Sequence, residues 1–125
     1  MKTSIYSQHR DHSDWSSKLS FYNDEIKIMQ KKLEEVSSKN TGADVRKQIE
    51  HFQNQLLIQS NNSDSLQHHI KREEKELQRN IKSNPVASDH RKAEDHAGER
   101  TMIDTFENNF NQLRKEFNAF LADRL

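Results

Sequence analysis

The sequence predicts an all-α protein, an antiparallel up-down-up three-helix bundle with coiled-coil-like heptad packing. Only 30% of the 125 residues are apolar. These residues nevertheless recur at alternating intervals of three and four along three long segments, without the alternation typical of strands. Helix-breaking residues are scarce, with two glycines and one proline. A chain this polar can bury a core by concentrating its apolar residues on narrow stripes of long helices.

The first predicted helix spans about residues 8–39 and follows a flexible tail at residues 1–7. It is expected to end in the segment SSKNTG, because Asn40 or Gly42 can adopt the left-handed conformation that terminates many helices. Its seam, the row of residues that faces the other helices, is apolar throughout. The seam consists of Trp15, Leu19, Tyr22, Ile26, Met29, Leu33 and Val36.

The second predicted helix spans about residues 43–82 and has a less regular seam. It is expected to end near the segment KSNP, because the residue before a proline is disfavoured in a helix, whereas Pro85 suits the first turn of the next one. Polar residues interrupt this seam in its middle and near its end. The seam consists of Val45, Ile49, Phe52, Leu56, Gln59, Ser63, Leu66, Ile70, Glu73 and Leu77.

The third predicted helix spans about residues 86–124, so that residues 8–125 form one domain. Two short connections between long helices favour antiparallel neighbours. The alternative, a two-helix hairpin with an undocked third segment, would leave a Phe-rich stripe in water. The third seam begins with polar residues and then becomes aromatic: His96, Glu99, Ile103, Phe106, Phe110, Leu113, Phe117 and Phe120.

Composition narrows the classes of function. The 20 basic and 20 acidic residues cancel, and without a basic face no nucleic-acid partner is expected. No apolar run has the length of a signal sequence core or a membrane span, which predicts a cytoplasmic protein without membrane contact. Two glycines leave no phosphate-binding loop. Whether the protein is an enzyme stays open, and these observations weigh against it.

Polar residues at one end of the predicted bundle suggest a metal site. His12 lies on the first helix, His69 and Glu73 are four apart on the second, and His96 and Glu99 are three apart on the third. Residues at these spacings share a helix face. Because the chain has no cysteine, a divalent transition metal would be held by imidazole nitrogen and carboxylate oxygen. The alternatives are an ordinary solvated bundle end and a pH-sensitive histidine cluster.

Four apolar residues outside the seams form a second candidate site. Phe21 and Ile28 are seven apart on the first helix, and Leu57 and Ile58 lie at nearly the same level on the second. They suit a protein partner or self-association, although a wide three-helix core would also absorb them. The leading functional prediction is a protein-interaction or scaffold module. The alternative is a metal-binding bundle that stores, senses or uses the metal.

Overall fold

The computed structural model describes the chain at residues 5–83 and 85–124, with side chains described at 6–79, 82 and 96–124. Within these ranges the protein is entirely helical, which confirms the all-α prediction. It has three helices and no strand: α1 (Ile5–Lys39), α2 (Ala43–Ser83) and α3 (Pro85–Arg124). None of the three, over the part described, contains a stretch apolar enough to cross a lipid bilayer.

The start of α1 differs from the prediction. The helix begins at Ile5, so residues 5–7 are helical rather than part of a tail, and residues 1–4 lie outside the described part. The prediction placed the start of this helix at about Gln8. In the structure Gln8 is itself buried, with 1% of its surface exposed. The polar side chain thus occupies a seam position, and the helix continues through the turn that precedes it.

The end of α1 is also made differently from the prediction. Neither Asn40 nor Gly42 has the left-handed backbone conformation. Instead, both the backbone N–H and the side-chain amide of Asn40 donate to the carbonyl oxygen of Val36, at 3.0 and 2.9 Å. The side-chain amide thus adds a second hydrogen bond to a carbonyl of the last turn. The helix therefore ends without a residue of positive φ.

All three pairs of helices are in contact, as in a helical bundle. Aromatic rings dominate the interior: the Phe52 ring centroid lies 5.4 Å from that of Phe117, and the Tyr22 centroid lies 4.8 Å from that of Phe110. The seam predicted for α1 is buried apart from the partly exposed Tyr22. The core cluster contains Trp15, Leu19, Ile26, Met29, Leu33, Val36, Ile49, Phe52, Leu56, Ile70, Ile103, Phe106, Phe110, Leu113, Phe117, Phe120 and Leu121.

Candidate metal centre

Three polar side chains are buried together where the N-terminal part of α1 meets α3. His12 of α1 is 4% exposed, and His96 and Glu99 of α3 are 2% and 4% exposed. One potential ligand atom from each residue lies within 4.8 Å of the other two. The spacing of three residues directs His96 and Glu99 from one face of α3 toward His12. Two helices thus supply two imidazoles and one carboxylate to the same buried position.

Each imidazole uses one ring nitrogen in a hydrogen bond to a carboxylate. His12 Nδ1 lies 2.8 Å from Oε1 of Glu74, and His96 Nε2 lies 2.8 Å from Oδ2 of Asp11. A carboxylate oxygen accepts, so we assign the hydrogen to the nitrogen that faces it. In a neutral imidazole the other ring nitrogen then carries a lone pair, which is Nε2 in His12 and Nδ1 in His96.

Those remaining atoms have no hydrogen-bond partner among the described residues. His12 Nε2, His96 Nδ1 and Glu99 Oε2 are all buried and unpaired. His12 Nε2 and Glu99 Oε2 are 3.2 Å apart, a distance suited to an ion pair, but their orientation is not that of a hydrogen bond. Leaving a buried polar group unpaired costs about 1–3 kcal/mol. His12 Nε2 and Glu99 Oε2 can pair with each other when His12 is protonated, whereas His96 Nδ1 has no hydrogen-bond partner among the described residues. This group of buried polar atoms therefore needs an explanation beyond packing.

On the α2 side, Glu74 connects the buried site to the surface. Its Oε2 lies 2.6 Å from Nδ1 of His9, and Gln78 Nε2 donates to the same oxygen at 2.7 Å. The side chain of His9 is 60% exposed, whereas that of Glu74 is 19% exposed. The carboxylate thus accepts hydrogen bonds on both oxygens, one from inside the bundle and two from its rim.

On the α3 side, Asp11 and Trp15 enclose His96. Asp11 Oδ2 also accepts from Nη2 of Arg100 at 2.6 Å. The Trp15 ring stacks on the imidazole of His96 with centroids 4.8 Å apart and planes 26° apart. The guanidinium of Arg100 lies 5.5 Å from the Trp15 ring centroid. Hydrogen bonding and stacking together fix the orientation of His96.

The local charges shift two pKa values in opposite directions. Burial alone would lower the pKa of His12, but the carboxylates of Glu99 and Glu74 outweigh it and raise this pKa above 6.5. For Glu74, burial would raise the pKa, but hydrogen bonds from Gln78 and from the two histidines lower it overall. Glu74 is therefore an ionised hydrogen-bond acceptor at neutral pH.

The two predicted ligands on α2 are not part of the described cluster. His69 and Glu73 are each partly exposed, and neither belongs to the cluster found among the described side chains. His69 Nδ1 instead lies 3.3 Å from Nη2 of Arg72. Among the described residues, α2 contributes Glu74 to the surroundings of the site, and sequence reasoning missed it because it lies beside the seam.

Sequence reasoning also missed Asp11, although the spacing of charged residues on α1 could have indicated it. Asp11, Lys18 and Glu25 are spaced by seven residues. Each forms an ion pair with α3, Lys18 with Glu107 at 2.8 Å and Glu25 with Arg114 at 3.7 Å. A charged row at heptad spacing beside an apolar seam is typical of an edge that faces another helix. This row identifies Asp11 as an α3-facing residue next to His12.

The four apolar residues of the second candidate site are all exposed. Exposed fractions are 55% for Phe21, 56% for Ile28, 55% for Leu57 and 47% for Ile58. These four side chains are therefore not buried in a wide three-helix core. Phe21 borders a surface groove that Arg100 of α3 also lines.

Comparisons with known proteins provide no family or function for this chain. A scan against protein-family models, a search of curated proteins and a search of solved structures each find no match. The functional argument therefore rests on the geometry and chemistry of the residues described above.

Proposed function

We propose that this protein is a metal-binding helical bundle that holds one divalent transition-metal ion between α1 and α3. The observation that carries the proposal is the cluster of His12, His96 and Glu99, in which one potential ligand atom of each residue lies within 4.8 Å of the other two and each residue has a buried polar atom without a hydrogen bond among the described residues. Two imidazole nitrogens and one carboxylate oxygen are a donor set that zinc and ferrous iron use in proteins. A cation bound between them would satisfy all three atoms at once.

Distances within the cluster are compatible with binding after a small closure. Ligand atoms about 2.0–2.2 Å from a tetrahedral zinc ion lie about 3.4 Å from one another. His12 Nε2 and Glu99 Oε2 already have a separation of 3.2 Å, and the widest pair in the cluster is within 4.8 Å. Side-chain rotations that move atoms by about 1 Å would complete the geometry.

Burial favours a metal site over an ordinary solvated bundle end. A fraying end exposes its polar groups to water, whereas the trio is at most 4% exposed. An ionised carboxylate at the depth of Glu99 requires a compensating positive charge. Either a proton on His12 or a metal ion can supply it, and only the metal also engages the free nitrogen of His96.

The three ligands found among the described side chains favour reversible binding rather than a closed structural site. Structural zinc sites have four protein ligands, whereas three protein ligands leave a coordination position for water or another molecule. We therefore favour metal sensing or buffering, and metal-dependent chemistry is the further role that an open position permits.

The test is direct metal binding by untagged, chelator-treated protein. We expect one Zn²⁺ or Co²⁺ per chain by titration calorimetry and elemental analysis. His12→Ala, His96→Ala and Glu99→Gln should each lose most of this affinity while keeping the helical circular dichroism of the parent. His68→Ala is the matched control, because His68 is exposed. If the three variants bind metal as the parent does, the ligand set is wrong.

The up-down-up arrangement and the heptad packing belong to this proposal. Ser16 of α1 pairs with Gln67 of α2, and the earlier residue His12 pairs with the later residue Glu74, which supports antiparallel helices. Ion pairs between α1 and α3 advance by seven residues along both helices, which supports parallel helices in heptad register. These pairs are Lys18 with Glu107 and Glu25 with Arg114.

A second candidate function is association through the apolar surface of α1. It is favoured by the exposure of Phe21 and Ile28, each more than half exposed and seven residues apart on one helix face. A second copy of the chain can cover such a row through a two-fold symmetric contact. The exposed Leu57 and Ile58 of α2 offer a further apolar surface of the same kind.

Sedimentation analysis tests this second function. Phe21→Glu combined with Ile28→Glu should convert a dimeric parent into a monomer, because like charges would face each other across the two-fold axis. Glu34→Gln, on the exposed surface of the same helix, is the control. A parent that sediments as a monomer at all concentrations would rule out self-association.

A further inference from the structure

We propose that Asp11 and Glu74 are positioning residues that hold the two histidine ligands in opposite tautomers. His12 then presents Nε2 to the metal, and His96 presents Nδ1. The inference rests on the proposed metal-binding function and adds to it the two carboxylates that prepare the site. It also gives α2, which contributes no ligand to the described cluster, a defined role through Glu74.

The argument for Glu74 begins with its distance to His12. Glu74 Oε1 lies 2.8 Å from His12 Nδ1, and an ionised carboxylate can only accept. The neutral imidazole must therefore carry its hydrogen on Nδ1, which leaves the lone pair on the buried Nε2. The second oxygen of Glu74 accepts from His9 and Gln78. With both oxygens engaged, the carboxylate has little freedom to rotate away from His12.

The argument for Asp11 has the same form with the ring nitrogens exchanged. Asp11 Oδ2 lies 2.8 Å from His96 Nε2 and 2.6 Å from Nη2 of Arg100. The hydrogen of neutral His96 is therefore on Nε2 and the lone pair on Nδ1. Stacking by Trp15 restricts rotation of the His96 imidazole about the side-chain bonds that attach it to the backbone. The tautomer and the direction of the lone pair are thus fixed before any ligand binds.

Such outer carboxylates are expected to affect metal affinity strongly. A carboxylate that accepts from one ring nitrogen makes the other nitrogen a better ligand and removes the need to reorient the ring. Loss of a partner of this kind lowers metal affinity by about 10- to 100-fold. We expect this range for Glu74→Ala and for Asp11→Ala. Smaller losses are expected for Glu74→Gln and Asp11→Asn, because their side-chain carbonyl can still accept from the imidazole.

The experiment combines tautomer assignment with zinc titration. Two-bond ¹⁵N–¹H correlation spectra of the metal-free protein, recorded at a pH where the imidazoles are neutral, distinguish the two tautomers directly. The parent should show hydrogen on Nδ1 of His12 and on Nε2 of His96. Glu74→Ala should disturb only the first pattern, and Asp11→Ala only the second.

Matched controls separate positioning from loss of charge or helix stability. Glu50→Ala on α2 and Asp14→Ala on α1 remove exposed carboxylates of the same type. They should leave both the tautomers and the zinc affinity of the parent unchanged. The variants Glu74→Gln and Asp11→Asn keep the tautomers, so they test the positioning role even if an alanine variant fails to fold.

The outcomes distinguish this inference from the function on which it rests. If Glu74→Ala and Asp11→Ala keep the parent's tautomers and zinc affinity, the positioning roles are wrong although the metal site stands. If the parent shows the expected tautomers but binds no metal, the metal-binding function is wrong and the inference falls with it. Altered tautomers together with weaker zinc binding, restored by the amide variants, would support both.

Discussion

The half of the bundle around Phe110 and Phe117 is buried to a depth similar to that of the end around His12 and His96, but the two regions bury side chains of different chemistry. Phe110 and Phe117 are fully buried and need only contact with their neighbours. The two histidines are almost as deeply buried, yet each retains an unpaired ring nitrogen. Equally buried side chains can therefore use all their bonding capacity in one region and leave part of it unused in another.

Two other unpaired atoms show why the chemistry of the side chain matters. Gln59 Oε1 and Ser63 Oγ are also buried without a hydrogen-bond partner among the described residues. Both lie on α2, in the middle of the bundle and four residues apart, and neither side chain is a usual ligand of transition metals. The amide of Gln59 and the hydroxyl of Ser63 thus differ in chemistry from the two imidazoles and the carboxylate at the polar end, which are common metal ligands. This distinction makes the comparison between the two regions testable.

The largest effect should come from the aromatic half. Phe110→Ala removes a fully buried ring and leaves a cavity, so we expect a loss of about 3–5 kcal/mol in the free energy of unfolding. Chemical denaturation followed by circular dichroism measures it. Met102→Ala on the same helix is the control, because Met102 is 41% exposed and its loss should be much smaller. Equal losses for the two variants would show that the aromatic seam is not the stabilising core.

The sequence predicted the helices better than it predicted the surroundings of the site. Apolar periodicity is a property of one helix, which is why the all-α class and three long helices followed from spacing alone. The start at Ile5 and the side-chain cap of Asn40 escaped prediction. The exact first residue of a helix and the hydrogen bonds of one amide depend on local contacts that periodicity does not encode.

The sequence likewise predicted some residues of the candidate site and missed others. His12, His96 and Glu99 occupy seam positions, so heptad spacing alone indicated that they point inward. Asp11 and Glu74 lie on helix edges, where the partner depends on how far each helix is rotated and shifted against its neighbour. A rotation by one residue exchanges Glu73 for Glu74 as the residue nearest His12. The rotation and shift of each helix can be determined only from the three helices packed together.

We expect pH to have an intermediate effect on zinc affinity and on the stability of the polar end of the bundle. Because the pKa of His12 is raised in the folded protein, protonated His12 stabilises the metal-free fold at pH values below 6.5, and this contribution is lost as pH rises through the folded pKa. Metal and proton compete for the same imidazole. Zinc affinity should therefore fall about tenfold, or about 1.4 kcal/mol, per pH unit below that pKa.

Calorimetric zinc titrations between about pH 5.5 and 8.5 test this dependence. The stabilisation that zinc gives, measured as a shift in Tm, should grow with pH while the metal-free protein becomes less stable. His68→Ala should retain the full pH dependence, because that exposed residue is no ligand in our proposal. A zinc affinity that is constant over this range would exclude His12 as a ligand.

The smallest effect should come from the isolated unpaired atom at Ser63. Ser63→Ala removes a buried hydroxyl without a partner, so we expect the free energy of unfolding to rise by about 1 kcal/mol. Ser65→Ala, two residues later and exposed, measures the helix propensity of the same substitution. The gain at position 63 should exceed that at position 65, and zinc affinity should be unchanged in both. A destabilised Ser63→Ala protein would show that this hydroxyl has a partner such as a bound water. Ser63 would then resemble the paired groups of the bundle, and lack of a protein partner alone would not distinguish packing faults from ligand sites.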